Sequence, residues 1–444
     1  MTRPTDLTFR DVIPAIERVL HDASWPGPGR EVTLLRDLDG RVRLMVESPV
    51  AGAGDKAVER PELERRLREA LGDWLGEPMP VWAPDKSDQA VVDLIRRDRQ
   101  PWPIHPAPPF AAWQLDRHVA RHGWVGDLPH SPPWSLQEVD DGDRPPIWVF
   151  FSHKGGVGRS TALVGVASQL ARRGLRVTLV DLDLEAPGLG ALVSGPDDDG
   201  PGLLDVWVGP PGGVGDRLAG ATRQVTAPYL VGAQPITLLP AGHVDADYLR
   251  MLARLDLQGT RDVQAATERL RDVFEQLREQ SRPDVVLVDA RAGFHDVGGI
   301  ALAALSHGVV FFGLPNEQSW VGLEAVARVV GAAGRDEDGD PKLWLQVVHC
   351  HANGREEDAE KLRFQDKAWE ILRDQRYYGE VLPDVRDPSA PHFPIVIPWK
   401  AELRGAGGLV TPRALEAMDE SVGRLAERLV RRFAGTEALW EPPL

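Results

Sequence analysis

The stretch from Val149 to Thr161, VFFSHKGGVGRST, constrains the fold of this chain more than any other. The apolar run 147–151 at its start predicts a strand that is buried on both faces. The glycines at 155, 156 and 158 allow a tight turn whose backbone N–H groups point inward, toward an anion. Ser160 and Thr161 open a predicted helix, and its N-terminus faces the same anion. The sequence therefore predicts a phosphate-binding loop, with Ser160 placed to hold a magnesium ion.

The loop differs from the common phosphate-loop pattern, G-x-x-x-x-G-K-[ST]. His153 stands at the first glycine, Arg159 stands at the lysine, and a second cation, Lys154, precedes the glycines. A lysine before paired glycines resembles the deviant Walker A motif of the ParA/MinD/ArsA class of P-loop ATPases, and the arginine resembles a variant group with the motif KGGVGR. The resemblance covers residues 147–435 and implies ATP and Mg²⁺ as cofactors and ATP hydrolysis as the activity. The alternative is a plain glycine-rich turn.

The resemblance implies different roles for the two cations of the loop. In the class, the lysine at the position of Arg159 contacts the β- and γ-phosphates, whereas the lysine that matches Lys154 reaches the nucleotide of a second subunit. A homodimer that forms across bound ATP is therefore expected, with Lys154 as an activating cation in trans. Arginine is planar, larger and always charged, so Arg159 is not a conservative replacement, although it can still bind phosphate bidentately.

Two further segments carry carboxylates at the ends of predicted strands. Asp181 and Asp183 follow the second strand from residue 147 onward, at the edge where such sheets bind ligands. The apolar strand 285–288 ends at Asp289, as the magnesium carboxylate of an ATPase requires, and Gly293 follows. By the resemblance, Asp183 positions or activates the attacking water, Asp181 supports the metal shell, and Gly293 lies in a switch loop with its N–H at the γ-phosphate. The alternative for Asp183 is a helix or turn cap.

Three further segments resemble parts of the class: 314–317 resembles its N-P-E turn, and 349–353 and 397–399 fall where the class packs and reads the adenine ring. Asn316 begins a helix after a strand, residues 349–353 follow the next strand, and Pro398 precedes the last helix. A structural role is the alternative for each of them. The full set of expected nucleotide-binding residues is Lys154, Gly155, Gly156, Val157, Gly158, Arg159, Ser160, Thr161, Gly293, Asn316 and Pro398. The expected metal ligands are Ser160, Asp181 and Asp289, and the expected catalytic residues are Lys154 and Asp183.

Predicted strands alternate with predicted helices from residue 147 onward, which is typical of an α/β, doubly wound, mainly parallel sheet. The expected strands are 147–151, 176–180, 236–239, 285–288, 309–313, 343–348 and 395–397. The expected helices lie near 161–173, 260–280, 317–332, 356–374 and 412–433. The Gly-, Pro- and Asp-rich stretch 194–216 interrupts the pattern and is predicted to be a surface insertion near the nucleotide.

The 444 residues are too many for one core, so two or three domains are expected. We predict four parts: a small N-terminal α+β domain, an extended segment rich in Pro and Trp, the ATPase domain and a C-terminal tail, at 1–76, 77–146, 147–435 and 436–444. The first part shows helical patterns at 9–20 and 61–75 and a hairpin pattern at 32–47.

The segment 77–146 has thirteen prolines and tryptophans at 82, 102, 113, 124 and 134. We predict one helix in it, at 109–122. Pure linkers are poor in aromatic residues, so these tryptophans either pack internally or form a docking surface for a protein partner.

Composition restricts the partners of the chain. A net charge of -16 argues against the nucleic-acid backbone as the main partner. The one cysteine, Cys350, excludes a disulfide framework and a cysteine-based metal site within one chain. Residues 1–10 lack an apolar signal core, and no apolar run is long enough to cross a bilayer. We therefore expect a cytoplasmic protein without a membrane partner.

Three functions agree with these features. The first is an ATP-binding switch with slow Mg²⁺-dependent hydrolysis, which dimerises on ATP and signals to a partner protein through residues 1–146. The second is a pseudo-ATPase scaffold that binds nucleotide without turnover, as His153 and Arg159 suggest. The third is a spatial organiser on DNA or membrane, as in MinD and ParA; the arginine-rich helix at 412–433 then binds the bilayer, or else it closes the core of the α/β domain. The resemblance also suggests a multi-component bacterial system.

Overall fold

The computed structural model of the protein describes residues 7–23, 29–37, 40–47, 59–116, 122–125, 128–193, 199–210, 212–225, 233–255, 260–337, 339–352, 359–400 and 412–433. The chain forms two compact units. The first comprises Met1–Ala120 with Gln258–Thr260, and the second comprises Arg121–Leu257 with Arg261–Leu444. The predicted tail at 436–444 lies outside the described residues.

The first unit is a five-stranded mixed sheet with helices on both faces. Its elements are α1 (Val12–Ala23), β1 (Glu31–Arg36), β2 (Val42–Glu47), α2 (Glu59–Leu71), β3 (Val81–Trp82), α3 (Gln89–Asp98), β4 (Gln100–Pro101) and β5 (Ala111–Asp116). The strand order is β3-β2-β1-β5-β4, and β1 pairs antiparallel with β2 and parallel with β5. Because side chains alternate along a strand, Val32 and Leu34 of β1 pack with α1 and α2, whereas Leu35 packs with α3.

Two expectations for the N-terminal third are corrected. The helix predicted at 109–122 is wrong, since residues 111–116 form β5, where pairing with β1 overrides the local helical pattern. The boundary predicted at residue 76 falls inside one sheet, because β3, β4 and β5 complete the sheet that β1 and β2 begin. The predicted hairpin and the two predicted helices correspond to β1, β2, α1 and α2.

The second unit alternates strands and helices along the chain. Its strands are β6 (Ile147–Ser152), β7 (Val177–Leu182), β8 (Arg223–Val225), β9 (Ile236–Leu239), β10 (Val285–Ala290), β11 (Gly308–Gly313), β12 (Trp344–Ala352) and β13 (Ile395–Pro398). Its helices are α4 (His122–Val125), α5 (Leu136–Asp140), α6 (Arg159–Arg172), α7 (Leu189–Val193), α8 (Leu203–Val208), α9 (Val214–Ala221), α10 (Ala246–Arg254), α11 (Thr260–Ser281), α12 (Asp296–Ile300), α13 (Glu317–Ala332), α14 (Ala359–Asp374) and α15 (Pro412–Arg431). A π-helical turn, Ala301–Leu305, extends α12.

The sheet of the second unit has the order β13-β12-β11-β6-β10-β7-β9-β8. All neighbouring strands are parallel except β8, which is antiparallel to β9. The central strands β6, β7, β10 and β11 are buried over their whole length, because helices cover both faces of the sheet. The predicted α/β class and its seven strands are confirmed; β8 has no counterpart among them.

The prediction of a surface insertion at 194–216 is wrong for the central part of this stretch. It contains α8, whose Leu203, Leu204 and Trp207 are at most 1% exposed. The Trp207 Nε1–H donates to the carbonyl oxygen of Ala266 at 2.9 Å. The glycines and prolines that flank this short apolar helix conceal it in the sequence.

The five tryptophans of 77–146 pack internally. Trp102, Trp124 and Trp134 are buried, and the other two are half-buried. In the second unit, the Trp134 Nε1–H donates to the carbonyl oxygen of Pro145 at 2.8 Å, and its ring stacks on His307. The boundary predicted at residue 147 is therefore corrected, because part of this segment belongs to the core of the second unit.

The apolar side of the last helix, α15, closes the core. Val422, Leu425, Leu429 and the following Phe433 are at most 3% exposed. Val422 lies against Gly165 of α6, where an added Cβ would approach its Cγ1 to 3.1 Å. The alternative of a bilayer-binding helix is therefore wrong, since its apolar face is already covered. None of the described helices is long and apolar enough to cross a membrane.

Candidate nucleotide-binding site

The glycine-rich loop follows β6, which lies between β11 and β10 in the sheet. Gly156 and Gly158 have φ angles of 76° and 86°, in the left-handed region that favours glycine. A Cβ atom on Gly155, Gly156 or Gly158 would meet no other atom within 4 Å. The space in front of the loop is therefore open. Gly158 is the N-cap of α6, so the first N–H groups of this helix serve the same space.

His153 fills the side of the loop next to α13. A Cβ atom on Gly322 of α13 would lie 2.2 Å from the His153 Cβ, so only glycine fits there. The His153 ring packs on Phe294 with 4.6 Å between centroids, and burial lowers the pKa of this histidine. Phe294 packs on Trp124, whose Nε1–H donates to the carbonyl oxygen of His295 at 2.8 Å. The sequence did not predict these contacts. The feature of the sequence that points to them is the histidine at 153, where the common phosphate loop has its first glycine.

Arg159 lies between the carboxylates of two neighbouring strands. Its Nε–H donates to Asp289 Oδ1 at 2.5 Å, and its Nη2–H donates to Asp183 Oδ2 at 3.3 Å. Burial alone lowers the pKa of Arg159, but the charges of Asp289 and Asp183 outweigh it and raise that pKa above its ordinary value. The Ser160 hydroxyl donates to Asp289 Oδ2 at 2.5 Å. Both carboxylate oxygens of Asp289 are therefore engaged.

Asp181 is paired in register with Asp289 on the adjacent strand. It is fully buried and accepts hydrogen bonds from the backbone N–H groups of Asp183, Gly188 and Leu189, at 3.1, 3.2 and 2.9 Å. Burial and then the charge of Asp289 raise the pKa of Asp181 to about 7, against the lowering effect of the backbone hydrogen bonds. In this conformation Asp181 holds the loop that follows β7.

Asp183 differs from Asp181 in having an unused oxygen. Its Oδ2 accepts from Arg159, whereas its Oδ1 is buried and has no hydrogen-bond partner in the part of the chain that the structure describes. Burial raises the pKa of Asp183, and the charge of Arg159 opposes that change. Buried carboxylate oxygens rarely lack a partner, so this atom is suited to accept one from a ligand or a water molecule.

An ion pair joins the loops after β7 and β10. Arg291 Nη1 lies 2.8 Å from Glu185 Oε1. Two residues farther along, Gly293 has a φ of 87°, and its N–H donates to the carbonyl oxygen of Ser152 at 3.0 Å. This N–H is therefore not directed at a phosphate in the observed conformation. The expected contact of Gly293 with the γ-phosphate stays a prediction, and it requires this hydrogen bond to break.

The site fits a nucleoside triphosphate with its magnesium ion. The open glycine loop suits the phosphates, Ser160 and Asp289 have oxygen atoms of the kind that Mg²⁺ prefers, and the Asp183 Oδ1 lacks a partner among the described residues. Among the described residues, no group of three or more His, Cys, Asp or Glu side chains is arranged to hold a metal ion.

The model of the CbiA family, described as the CobQ/CobB/MinD/ParA nucleotide binding domain, matches residues 148–390, more than half of the chain. The chain belongs to this family. A probable plasmid-partitioning protein ParA of Thermus thermophilus is 29% identical over 203 residues, which are 45% of this chain and 53% of that protein. The chain thus spans about half the length of this relative.

Two further proteins are similar to this CbiA-family chain. The chromosome-partitioning ATPase Soj of Thermus thermophilus is 29% identical over 248 residues, 54% of this chain and 83% of that protein. The crystallised septum site-determining protein MinD of Pyrococcus horikoshii, complexed with Mg-ADP, is 19% identical, with 67% of this chain and 100% of that chain covered and a TM-score of 0.44.

Three other expected site residues of this CbiA-family domain lie in the loop or in the helical turn that follows it. Lys154 is exposed in the loop and makes no hydrogen bond or ion pair with the described residues. Val157 is buried behind the loop, and Thr161 is half-buried in the first turn of α6. Their assignment to nucleotide binding stays a prediction.

The residues expected near adenine lie farther away. Asn316 is the N-cap of α13, and its Oδ1 accepts from the N–H of Ser319 at 3.0 Å. Pro398 ends the edge strand β13, three strands from β6, or roughly 14 Å at the usual strand spacing. His349 is fully buried and stacked on Phe364, and Asn353 lies outside the described residues. The structure thus brings together the loop, Ser160, Asp183 and Asp289, whereas the adenine contacts remain predictions.

Proposed function

We propose that the protein is an ATP-driven molecular switch. Mg–ATP binds in the loop 153–161, a homodimer forms across the bound nucleotide, slow hydrolysis resets the switch, and residues 1–146 signal to a protein partner. One observation carries this proposal: Ser160, Asp183 and Asp289 surround a single cation, Arg159, beside the open glycine loop. The proposal places ATP hydrolysis within a nucleotide-binding family to which the chain belongs.

Each residue of the site has a distinct role in this proposal. Backbone N–H groups of the loop and of the first turn of α6 bind the phosphates. The Ser160 hydroxyl and the Asp289 carboxylate would hold Mg²⁺, which would supply positive charge to neutralise the phosphates. Asp183 uses its free Oδ1 to orient the attacking water and accept its proton, as its buried, unpartnered state allows. Arg159 turns from the carboxylates to the phosphates.

Lys154 supports the dimeric form of this proposal. Its ammonium is exposed beside the glycines and has no partner among the described residues of its own chain. A cation in that state is available to the nucleotide of a second subunit. We expect Lys154→Ala to abolish ATP-dependent dimerisation, measured by light scattering of eluting species, whereas Lys367→Ala, in an exposed pair on α14, leaves it unchanged. A dimer that forms equally well with Lys154→Ala would contradict the trans role.

Asp183→Ala tests the catalytic assignment. We expect it to lower the ATP turnover number by roughly a hundredfold or more, because the water loses its base, while Mg–ATP still binds. Turnover is measured as released phosphate and binding as heat in calorimetry. Asp247→Ala, an exposed aspartate of α10, is the matched control and should leave both unchanged. The absence of ATP binding by the natural sequence would refute the proposed function.

A nucleotide-binding scaffold without turnover is the second candidate. The observation that favours it is the ion pairing of Arg159 with both Asp183 and Asp289, which occupies the carboxylates that hydrolysis needs. Arg159→Lys separates the two functions, since it restores the usual phosphate-loop lysine. Turnover by the natural sequence that Asp183→Ala removes would exclude the scaffold.

A spatial organiser on DNA is the third candidate. It is supported by the names of the two relatives, a probable plasmid-partitioning protein and a chromosome-partitioning ATPase. The net charge of -16 opposes it. Gel-shift titrations of non-specific duplex DNA with ATP and with ADP, at low and moderate salt, test it. ATP-dependent binding that weakens steeply with salt is the supporting result.

A further inference from the structure

Arg159 closes the place where a metal ion would be held. Its Nε lies 2.5 Å from one oxygen of Asp289, its Nη2 lies 3.3 Å from Asp183, and its side chain is 9% exposed. Ser160 donates to the remaining oxygen of Asp289. The two oxygen ligands that suit Mg²⁺ are therefore hydrogen-bonded to each other and covered by a guanidinium group.

The geometry also explains why an arginine pairs with both carboxylates better than a lysine would. A guanidinium is a planar fork that bonds two carboxylates at once, and it never loses its proton. A lysine ammonium is a compact point charge at the end of a flexible chain. Because Asp181 lies in register with Asp289 one strand away, three carboxyl groups share this region, and Arg159 forms ion pairs with two of them, Asp183 and Asp289.

We propose that the Arg159 guanidinium occupies the position of the magnesium ion, paired with Asp183 and Asp289, until the phosphates of a bound nucleotide attract this guanidinium. This rests on the proposed function. The phosphate chain of a nucleoside di- or triphosphate offers Arg159 bidentate acceptors of higher charge than a carboxylate. When Arg159 moves to them, Asp289 and Ser160 become available, and Mg²⁺ replaces the lost positive charge. Mg²⁺ therefore binds only with nucleotide, and never to the protein alone.

Metal binding without nucleotide tests this proposal directly. The full chain and Arg159→Gln are titrated with Mn²⁺, and free Mn²⁺ is measured by electron paramagnetic resonance. We expect Arg159→Gln to bind Mn²⁺ specifically, because its carboxylates lack the charge of Arg159. Any Mn²⁺ binding by the natural sequence should be at least roughly tenfold weaker. Arg176→Gln is the matched control: it breaks an arginine–aspartate pair elsewhere in the same unit and should behave as the natural sequence does.

Thermal unfolding gives a second, independent readout. Arg159→Gln should have a lower Tm than the natural sequence, and Mg²⁺ alone should raise that Tm. Mg²⁺ alone should not raise the Tm of the natural sequence or of Arg176→Gln. If Arg159→Gln does not fold, Arg159→Lys retains the charge without the fork, and we expect it to bind Mn²⁺ with intermediate affinity.

Two results would overturn the proposal. One is tight Mn²⁺ binding by the natural sequence without nucleotide. The other is an Arg159→Gln or Arg159→Lys variant that folds and responds to neither Mn²⁺ nor Mg²⁺, as expected if the ion pair is only structural. Failure of the proposed function looks different: the natural sequence then binds neither ADP nor ATP, with or without Mg²⁺, while the metal response of Arg159→Gln persists.

Discussion

Each unit contains a buried arginine that bridges two carboxylates, and the two clusters differ in what surrounds them. In the first unit, the Arg99 side chain is 8% exposed and contacts Glu31, Glu47 and the Thr33 hydroxyl. Its guanidinium also lies 4.4 Å from the centroid of the Trp113 ring. In the second unit, the Arg159 side chain is 9% exposed and contacts Asp183 and Asp289.

The difference lies in the completeness of the contacts. Glu47 uses both of its oxygens, one for Arg99 and one for Arg96, and among the described residues no carboxylate oxygen of the Arg99 cluster is buried without a partner. The Arg159 cluster borders an open glycine loop, and its Asp183 Oδ1 is buried without a partner in the part of the chain that the structure describes. A buried ion pair alone is thus no sign of a binding site; the unused oxygen and the open space beside it are.

Removal of Arg99 should have the largest effect on stability. Arg99→Gln leaves Glu47 buried beside one arginine fewer, so we expect the free energy of unfolding of the first unit to fall by about 3 kcal/mol. Hydrogen exchange of β1 and β2 measures this unit separately. The binding of ATP and Mn²⁺ should not change. Arg65→Gln, in an exposed pair network of α2, is the control and should have no measurable effect. Altered nucleotide binding in Arg99→Gln would contradict the purely structural role that the comparison gives to the Arg99 cluster.

Gly322→Ala should produce the next largest effect, on the nucleotide side of the comparison. The new methyl group would lie 2.2 Å from the His153 Cβ, so the loop or α13 must shift. We expect the affinity for ATP, measured by calorimetry, to fall roughly tenfold, since the N–H groups of the loop lose their alignment. His153→Gly in the same chain should restore it.

The control for this variant is Gly423→Ala in α15. A methyl group there meets nothing within 4 Å, so ATP affinity should be unchanged, and the helix should gain roughly 0.5–1 kcal/mol. An unchanged affinity in Gly322→Ala would show that the loop does not depend on the packing of His153.

The smallest effect concerns Asp181, whose carboxylate accepts hydrogen bonds from backbone N–H groups beside the Arg159 cluster. Its pKa is raised from 3.8 to about 7, so the folded state binds the proton more tightly than the unfolded state does. The resulting stabilisation is complete below the unfolded pKa and is lost as the pH rises toward about 7. We expect Asp181→Asn to flatten the decline of Tm between about pH 4 and 7. Asp387, whose pKa is lowered by Ser389, should show the opposite sign in Asp387→Asn. Parallel pH profiles for Asp181→Asn and the natural sequence would contradict this assignment.

Much of the second unit could be predicted because its signals are local. Apolar runs predicted the strands β6, β7 and β10, and the glycines at 155, 156 and 158 predicted the turn between β6 and α6. Register explains why Asp181 and Asp289 meet, since both lie near the ends of parallel strands. The predictions were wrong where contacts between residues far apart in the sequence decide the local structure. An example is β5, which is a strand because β1 pairs with it.

The sequence by itself determined the order of elements and the presence of a phosphate-type loop, because glycine conformation and residue periodicity are properties of short segments. Only the tertiary structure decided which partners each carboxylate has. Asp181, Asp183 and Asp289 are the same residue type at the ends of similar strands, yet their carboxylates have different partners. Asp181 accepts from backbone amides, and Asp289 accepts from Arg159 and Ser160. Asp183 accepts from Arg159 with one oxygen, and its other oxygen has no partner among the described residues. Arg159 and Asp289 are 130 residues apart, so no local pattern reports their contact.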